Sequence, residues 1–224
     1  MNIYISIILL MLIINSSNIV FAKDYPPSIE TIQKWWSNYS LETMTPYEEP
    51  IKIKLFNNET AYIIPVTIDQ RGRIASLTTV MVRPALKQVK EVGHPVSSNC
   101  KVYDLNKDGI SEVVADSGAM AQGIIEGSIY IVQFYGWTPV VLHQAEFFGN
   151  FGICGPPPEF SFECFSKSVN FKFTDLNDDN IDDLVEETIF KEGISTNNLH
   201  SKKVIKKYIF KNNVFHKMEN NNKN

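Results

Sequence analysis

Two stretches of alternating oxygen-bearing side chains constrain this chain more than any other feature. They are Asp104–Glu112, reading DLNKDGISE, and Asp175–Asp183, reading DLNDDNIDD. Each sets an acid or amide at loop positions 1, 3 and 5 and an acid at position 9. A tightly coiled loop of this kind can aim its oxygens at one point, and Ca²⁺ takes six to eight oxygens at about 2.3–2.6 Å. The expected ligands of the first loop are Asp104, Asn106, Asp108, the main-chain carbonyl of Ile110, and Glu112. In the second they are Asp175, Asn177, Asp179, the carbonyl of Ile181, and Asp183. Position 6 must turn sharply, which Gly109 does freely and Asn180 at some cost, so the first loop is expected to be the better formed. The flanks Val169–Phe173 and Leu184–Phe190 are strand-like, and position 12 of the first loop is Ala115, so these are loops between strands and not EF-hands.

The rest of the sequence reads as an all-β chain of antiparallel meanders with one N-terminal helix. Ile29, Ile32, Trp35, Trp36 and Tyr39 fall at helical spacing behind Pro26-Pro27-Ser28. Ile51–Phe56 and Thr60–Val66 alternate about Asn57-Asn58-Glu59 as a hairpin, and Arg73–Arg83 forms a third strand. Pro84–Pro95, with two prolines and Gly93, reads as a connection. Two similar units follow, over about 98–146 and 168–218. In each, a strand enters the cation loop, a second leaves it, and a hairpin closes the unit, about Gly136-Trp137 in the first and Lys211-Asn212-Asn213 in the second.

The order strand, DxNxDGxxE loop, strand, hairpin resembles the FG-GAP/VCBS family of extracellular calcium-loop repeats. That resemblance implies a small β-propeller-like fold holding Ca²⁺. Size, export and loop type are also similar to those of calcium-containing periplasmic inhibitors of muramidases. The function this resemblance implies is recognition of an envelope protein, a muramidase in particular.

The apolar run Ile3–Ile14, followed by Val20-Phe21-Ala22, reads as a cleaved secretory signal over 1–22, which leaves no membrane span in the mature protein. The domain expected is 23–218, with an Asn-rich tail over 219–224, in a periplasmic or secreted protein. With 21 basic and 25 acidic residues, a nucleic-acid partner is not expected. Export permits a disulfide. Cys154 and Cys164 flank Gly155-Pro156-Pro157-Pro158, which can double the chain back and join them, leaving Cys100 over.

No coherent catalytic set emerges, so a non-enzyme is expected. The four histidines lack zinc-ligand spacing, and neither a nucleophile elbow nor a phosphate loop occurs. Asp116-Ser117-Gly118-Ala119 resembles the signature of retroviral-type aspartic proteases, in which two carboxylates share a proton, and supplies the alternative enzymatic reading. A Gly-flanked aromatic stretch, Phe147–Ile153, offers a recognition element, with Phe148 and Phe151 as its anchors. A glycan-binding or adhesion module is the competing binding reading.

Overall fold

The computed structural model describes residues 25–46, 48–69, 76–92, 100–155 and 162–219. The signal-like segment 1–22 and most of the Asn-rich tail lie outside them. Helix α1, Ile29–Trp36, begins at Ser28, whose Oγ accepts from the Thr31 N–H as an N-cap. Its buried residues Ile32 and Trp36 face a five-stranded antiparallel sheet made of β1 (Thr43–Pro46), β2 (Ile51–Lys54), β3 (Thr60–Asp69), β4 (Ser76–Arg83) and β5 (Gln88–Glu91). Central β3 is buried on both faces, which explains its near-continuous apolar run. Pro65, having no N–H, falls where β3 changes partner, between the residues that pair with β2 and those that pair with β1. The stretch read as a plain connection after Arg83 contains a 3-10 turn, Pro84–Leu86, and then β5. Val89 of β5 points inward between exposed Gln88 and half-buried Lys90, a pattern too short to register in the sequence.

The second sheet is an open eight-stranded meander in strict chain order. Its strands are β6 (Lys101–Tyr103), β7 (Glu112–Ala121), β8 (Ile124–Tyr135), β9 (Thr138–Gly149), β10 (Cys164–Thr174), β11 (Asp183–Ser195), β12 (Asn198–Lys211) and β13 (Val214–Lys217). The stretches read as two units hold β6–β9 and β10–β13. They are not separate propeller blades, however. Ser166 pairs with Gly149 and Lys167 with Phe148, so the two meanders run on as one sheet, and among the described residues no ring of blades forms. That corrects the propeller-like expectation. The loop motif fixes a corner between two strands but says nothing about what the fourth strand of a meander pairs with.

Three apolar clusters order the layers. Ile32 and Trp36 pack on Tyr62, Ile64, Val80 and Val82 on one face of the five-stranded sheet. Ile53, Ile63 and Met81 on its other face meet Val113, Ala115, Tyr130, Val132 and Phe134 of β7 and β8. Val114 and Ile131 point the opposite way, into a third cluster with Leu105, Leu184 and Phe210. The period-2 alternation of β7 and β8 thus serves two cores at once. The first meander lies between the five-stranded sheet and the second meander.

Candidate functional site

The two acidic loops occupy equivalent corners, β6 to β7 and β10 to β11, and fold by the same local hydrogen bonds. Asp104 Oδ2 accepts the Gly109 N–H at 3.1 Å, and Asp175 Oδ2 accepts that of Asn180 at 2.8 Å. Asn106 and Asn177 accept the N–H groups of Asp108 and Asp179, and those aspartates accept from Ile110 and Ile181. Backbone φ is positive at position 6 in both, 81° at Gly109 and 66° at Asn180. It is also positive at position 4, 57° at Lys107 and 62° at Asp178, a second left-handed residue that the sequence did not announce.

The loops touch each other. The Asp182 N–H donates to the Leu105 carbonyl at 2.8 Å, and Asn106 Nδ2 donates to Asn213 Oδ1 in the β12–β13 turn at 3.2 Å. Lys107 Nζ reaches across to the carbonyl and the Oδ1 of Asn180, each at 2.7 Å.

The position 9 acids are both buried. Glu112 is fully buried; its Oε2 accepts the Leu105 N–H at 2.8 Å and its Oε1 accepts Gln133 Nε2 at 3.0 Å. Burial pushes its carboxyl up to about 7; the Leu105 N–H opposes the shift and the negative charges of Asp108 and Asp104 add to it. Asp183 is equally buried and accepts the N–H groups of Leu176 at 2.9 Å and Phe210 at 2.8 Å. Asp175 is held below the usual carboxylate range, since the loop N–H donors, led by Asn180, outweigh its desolvation.

Among the described residues no three His, Cys, Asp or Glu side chains stand together as a ready metal-binding group. The donors are nonetheless all oxygens, most of them accept a single hydrogen bond and keep a further lone pair, and among the described residues none of these carboxylates forms an ion pair. In chemistry the set suits a hard cation and not a soft one. Asp104, Asn106, Asp108, Ile110 and Glu112 would hold it in the first loop, and Asp175, Asn177, Asp179, Ile181 and Asp183 in the second.

The aromatic stretch lies at the opposite end of β9. Cys154 and Cys164 are joined as expected, across the connection from β9 to β10. Asn150 braces the same connection: its Nδ2 donates to the Glu163 carbonyl and its Oδ1 accepts the Phe165 N–H, each at 2.8 Å. Phe148 is 36% exposed and Phe151 41%. They border a cleft of about 330 Å³ lined also by Ile125, Ile129, Phe147 and Val169. Phe147 turns inward over Gly118, where an added Cβ would stand 2.9 Å from the Phe147 ring. Cys100 is half-buried and outside the bridge; burial, with Asp116 and Glu48 adding, pushes its thiol up to about 12.

Asp116-Ser117-Gly118 sits inside β7, paired with Ile129, Ser128 and Gly127 of β8. Ile124-Ile125-Glu126-Gly127 opens β8, antiparallel to Gly118–Ala121 of β7.

Sequence reasoning missed a polar cluster between the meanders. Glu186 of β11 is buried and takes His143 Nε2 at 2.9 Å from β9, with Lys206 Nζ at 2.7 Å and the Tyr208 hydroxyl at 3.3 Å from β12. Its desolvation is outweighed by the hydrogen bonds from His143 and Lys206, which hold the carboxyl down at about 2. The only signal available was a Glu on the inward side of an alternating strand, with lysines in the next strand. No family model, curated protein or solved structure matches this chain.

Proposed function

We propose that this is an exported, non-enzymatic recognition protein of the cell envelope, stapled by Ca²⁺ at its acidic loop corners, whose partner is a cell-wall hydrolase. The observation that carries the reading is the pair of exposed rings, Phe148 and Phe151, beside an apolar cleft on a disulfide-held rim. Rings held at a braced rim lose little conformational entropy when a partner covers them, which is how an interface anchor gains its energy. The cation's role is structural. Ligand bound only to the folded state adds RT ln(1 + [L]/Kd), about 2.7 kcal/mol at a hundredfold excess over Kd. Periplasmic or secreted placement suits such loops, because extracellular modules bind Ca²⁺ with Kd of roughly 10⁻⁴–10⁻³ M.

Two measurements test this. The thermal midpoint of the purified protein is expected to rise on replacing EDTA with Ca²⁺; an unchanged midpoint removes the staple. The protein is expected to inhibit a purified muramidase acting on peptidoglycan, and the Phe148→Ala, Phe151→Ala double variant to lose that inhibition while remaining folded. Retention of peptidoglycan fragments with no effect on the enzyme would replace the hydrolase reading with the glycan-binding one.

A further inference from the structure

The two loops look equivalent in sequence but differ in what they still lack once folded. Among the described residues a single buried side-chain oxygen or nitrogen has no hydrogen-bond partner, and it is Gln133 Oε1. Gln133 is 0% exposed, and its amide head lies against the first loop's buried acid through the bond from Nε2 to Glu112 Oε1. That bond fixes the amide: turning it over would set two acceptors face to face and orphan the nitrogen instead. The carbonyl oxygen is therefore an unmet acceptor beside an unpaired buried carboxylate. An unmet acceptor of this kind costs about 1–3 kcal/mol unless something positive reaches it.

Nothing comparable is left in the second loop. Both Asp183 oxygens are taken by main-chain N–H groups, and among the described residues Asp175 takes three, from Asn177, Asp179 and Asn180, against the single one that Asp104 takes from Gly109. A cationic side chain already serves that loop as well. Lys107, although it belongs to the first loop, spends its ammonium on the Asn180 carbonyl and amide oxygen. The first loop thus lends its own lysine to its neighbour, and no Lys, Arg or His pairs with Asp104, Asp108 or Glu112 among the described residues.

We infer that the two loops are unequal cation sites: the first is the tight one, with Gln133 Oε1 as an additional oxygen ligand or ligand-positioning group supplied from β8, while the second closes largely on its own hydrogen bonds and Lys107. This rests on the calcium reading above and adds to it a residue outside the loop motif.

The test is calorimetric titration of Ca²⁺ into EDTA-stripped full-length mature protein, with circular dichroism to verify folding. One tight binding event per chain is expected, any second being at least tenfold weaker. Asp104→Asn, in an exposed part of the loop, should abolish the tight event, and Asp175→Asn should leave its Kd within twofold. Gln133→Leu should weaken it at least tenfold. If that variant fails to fold, Gln133→Glu, which keeps an oxygen there and adds charge, is expected to tighten it, and an unchanged Kd would count against the inference. Two events of equal affinity, or loss of the tight event in Asp175→Asn with survival in Asp104→Asn, would overturn the inference while leaving the calcium reading intact. No binding at all would remove both.

Discussion

The corner between β6 and β7 and the corner between β10 and β11 share a motif, left-handed residues at positions 4 and 6 and part of a hydrogen-bond scheme, yet among the described residues only the first has an unmet buried acceptor beside it. The difference comes from outside the motif. At the second corner the buried acid is met by two main-chain N–H groups, one of them Phe210 on β12. At the first it is met by one main-chain N–H and by a side-chain amide that brings an unmet oxygen with it. On the calcium reading proposed above, the loop motif would specify the cage, while the neighbouring strand would decide how strongly that cage needs an ion. This is the ordinary asymmetry of buried polar groups, whose cost is set by the partners they lack more than by those they have.

The sharpest way to break the comparison is Asp183→Ala. It strands a buried main-chain donor at Phe210, at about 2 kcal/mol, and a part-buried one at Leu176, at about 1 kcal/mol, so a loss of about 3 kcal/mol is expected. Denaturant melts in EDTA and in Ca²⁺ should show nearly the same loss, because that acid acts as a structural clamp. A loss seen only with Ca²⁺ would mean that the second loop is as ion-dependent as the first.

Glu186→Ala tests whether the two meanders form one unit. Removing the carboxylate leaves Lys206, Tyr208 and His143 without their shared acceptor, and because the Lys206 ammonium is 41% exposed and can turn to solvent the loss is about 2 kcal/mol. The pH dependence carries a sign. The folded carboxyl is lowered to about 2 from an ordinary 4.5, so its contribution is present above about pH 4.5 and disappears as pH falls from there through about 2. Stability of the Glu186→Ala variant should be flatter than that of the parent across that window. Parallel profiles would show that the cluster does not couple to folding.

The smallest effects sharpen the comparison at position 6. Gly109→Ala puts a Cβ at φ 81°, and although nothing lies within 4 Å of it, left-handed backbone alone costs about 1 kcal/mol. Asn180→Gly, at φ 66°, relieves milder strain but frees the unfolded chain and removes the Lys107 contact to Oδ1, so a change within about 0.5 kcal/mol is expected. Thermal melts of the pair check this; equal losses would mean that both turns carry the same strain.

The sequence by itself determined the local elements, because each rests on a short-range cause. The spacing of Ile32 and Trp36 makes a helix, alternation makes the strands of both meanders, the left-handed residues Gly109, Asn180, Asn212 and Asn213 make the corners, and a proline-rich span between two cysteines makes a closed loop. The short strands β1 and β5 escaped because their stretches are too brief for a period to show. Tertiary structure alone decided how the halves combine. The β9–β10 pairing that merges two units into one sheet, the burial of Glu112 and Asp183, the lysine lent from one loop to the other, and the Glu186 cluster all join residues far apart in the chain. Such pairings depend on which faces the packed layers bring together, and alternation states only that a residue points to one side, not what waits for it there.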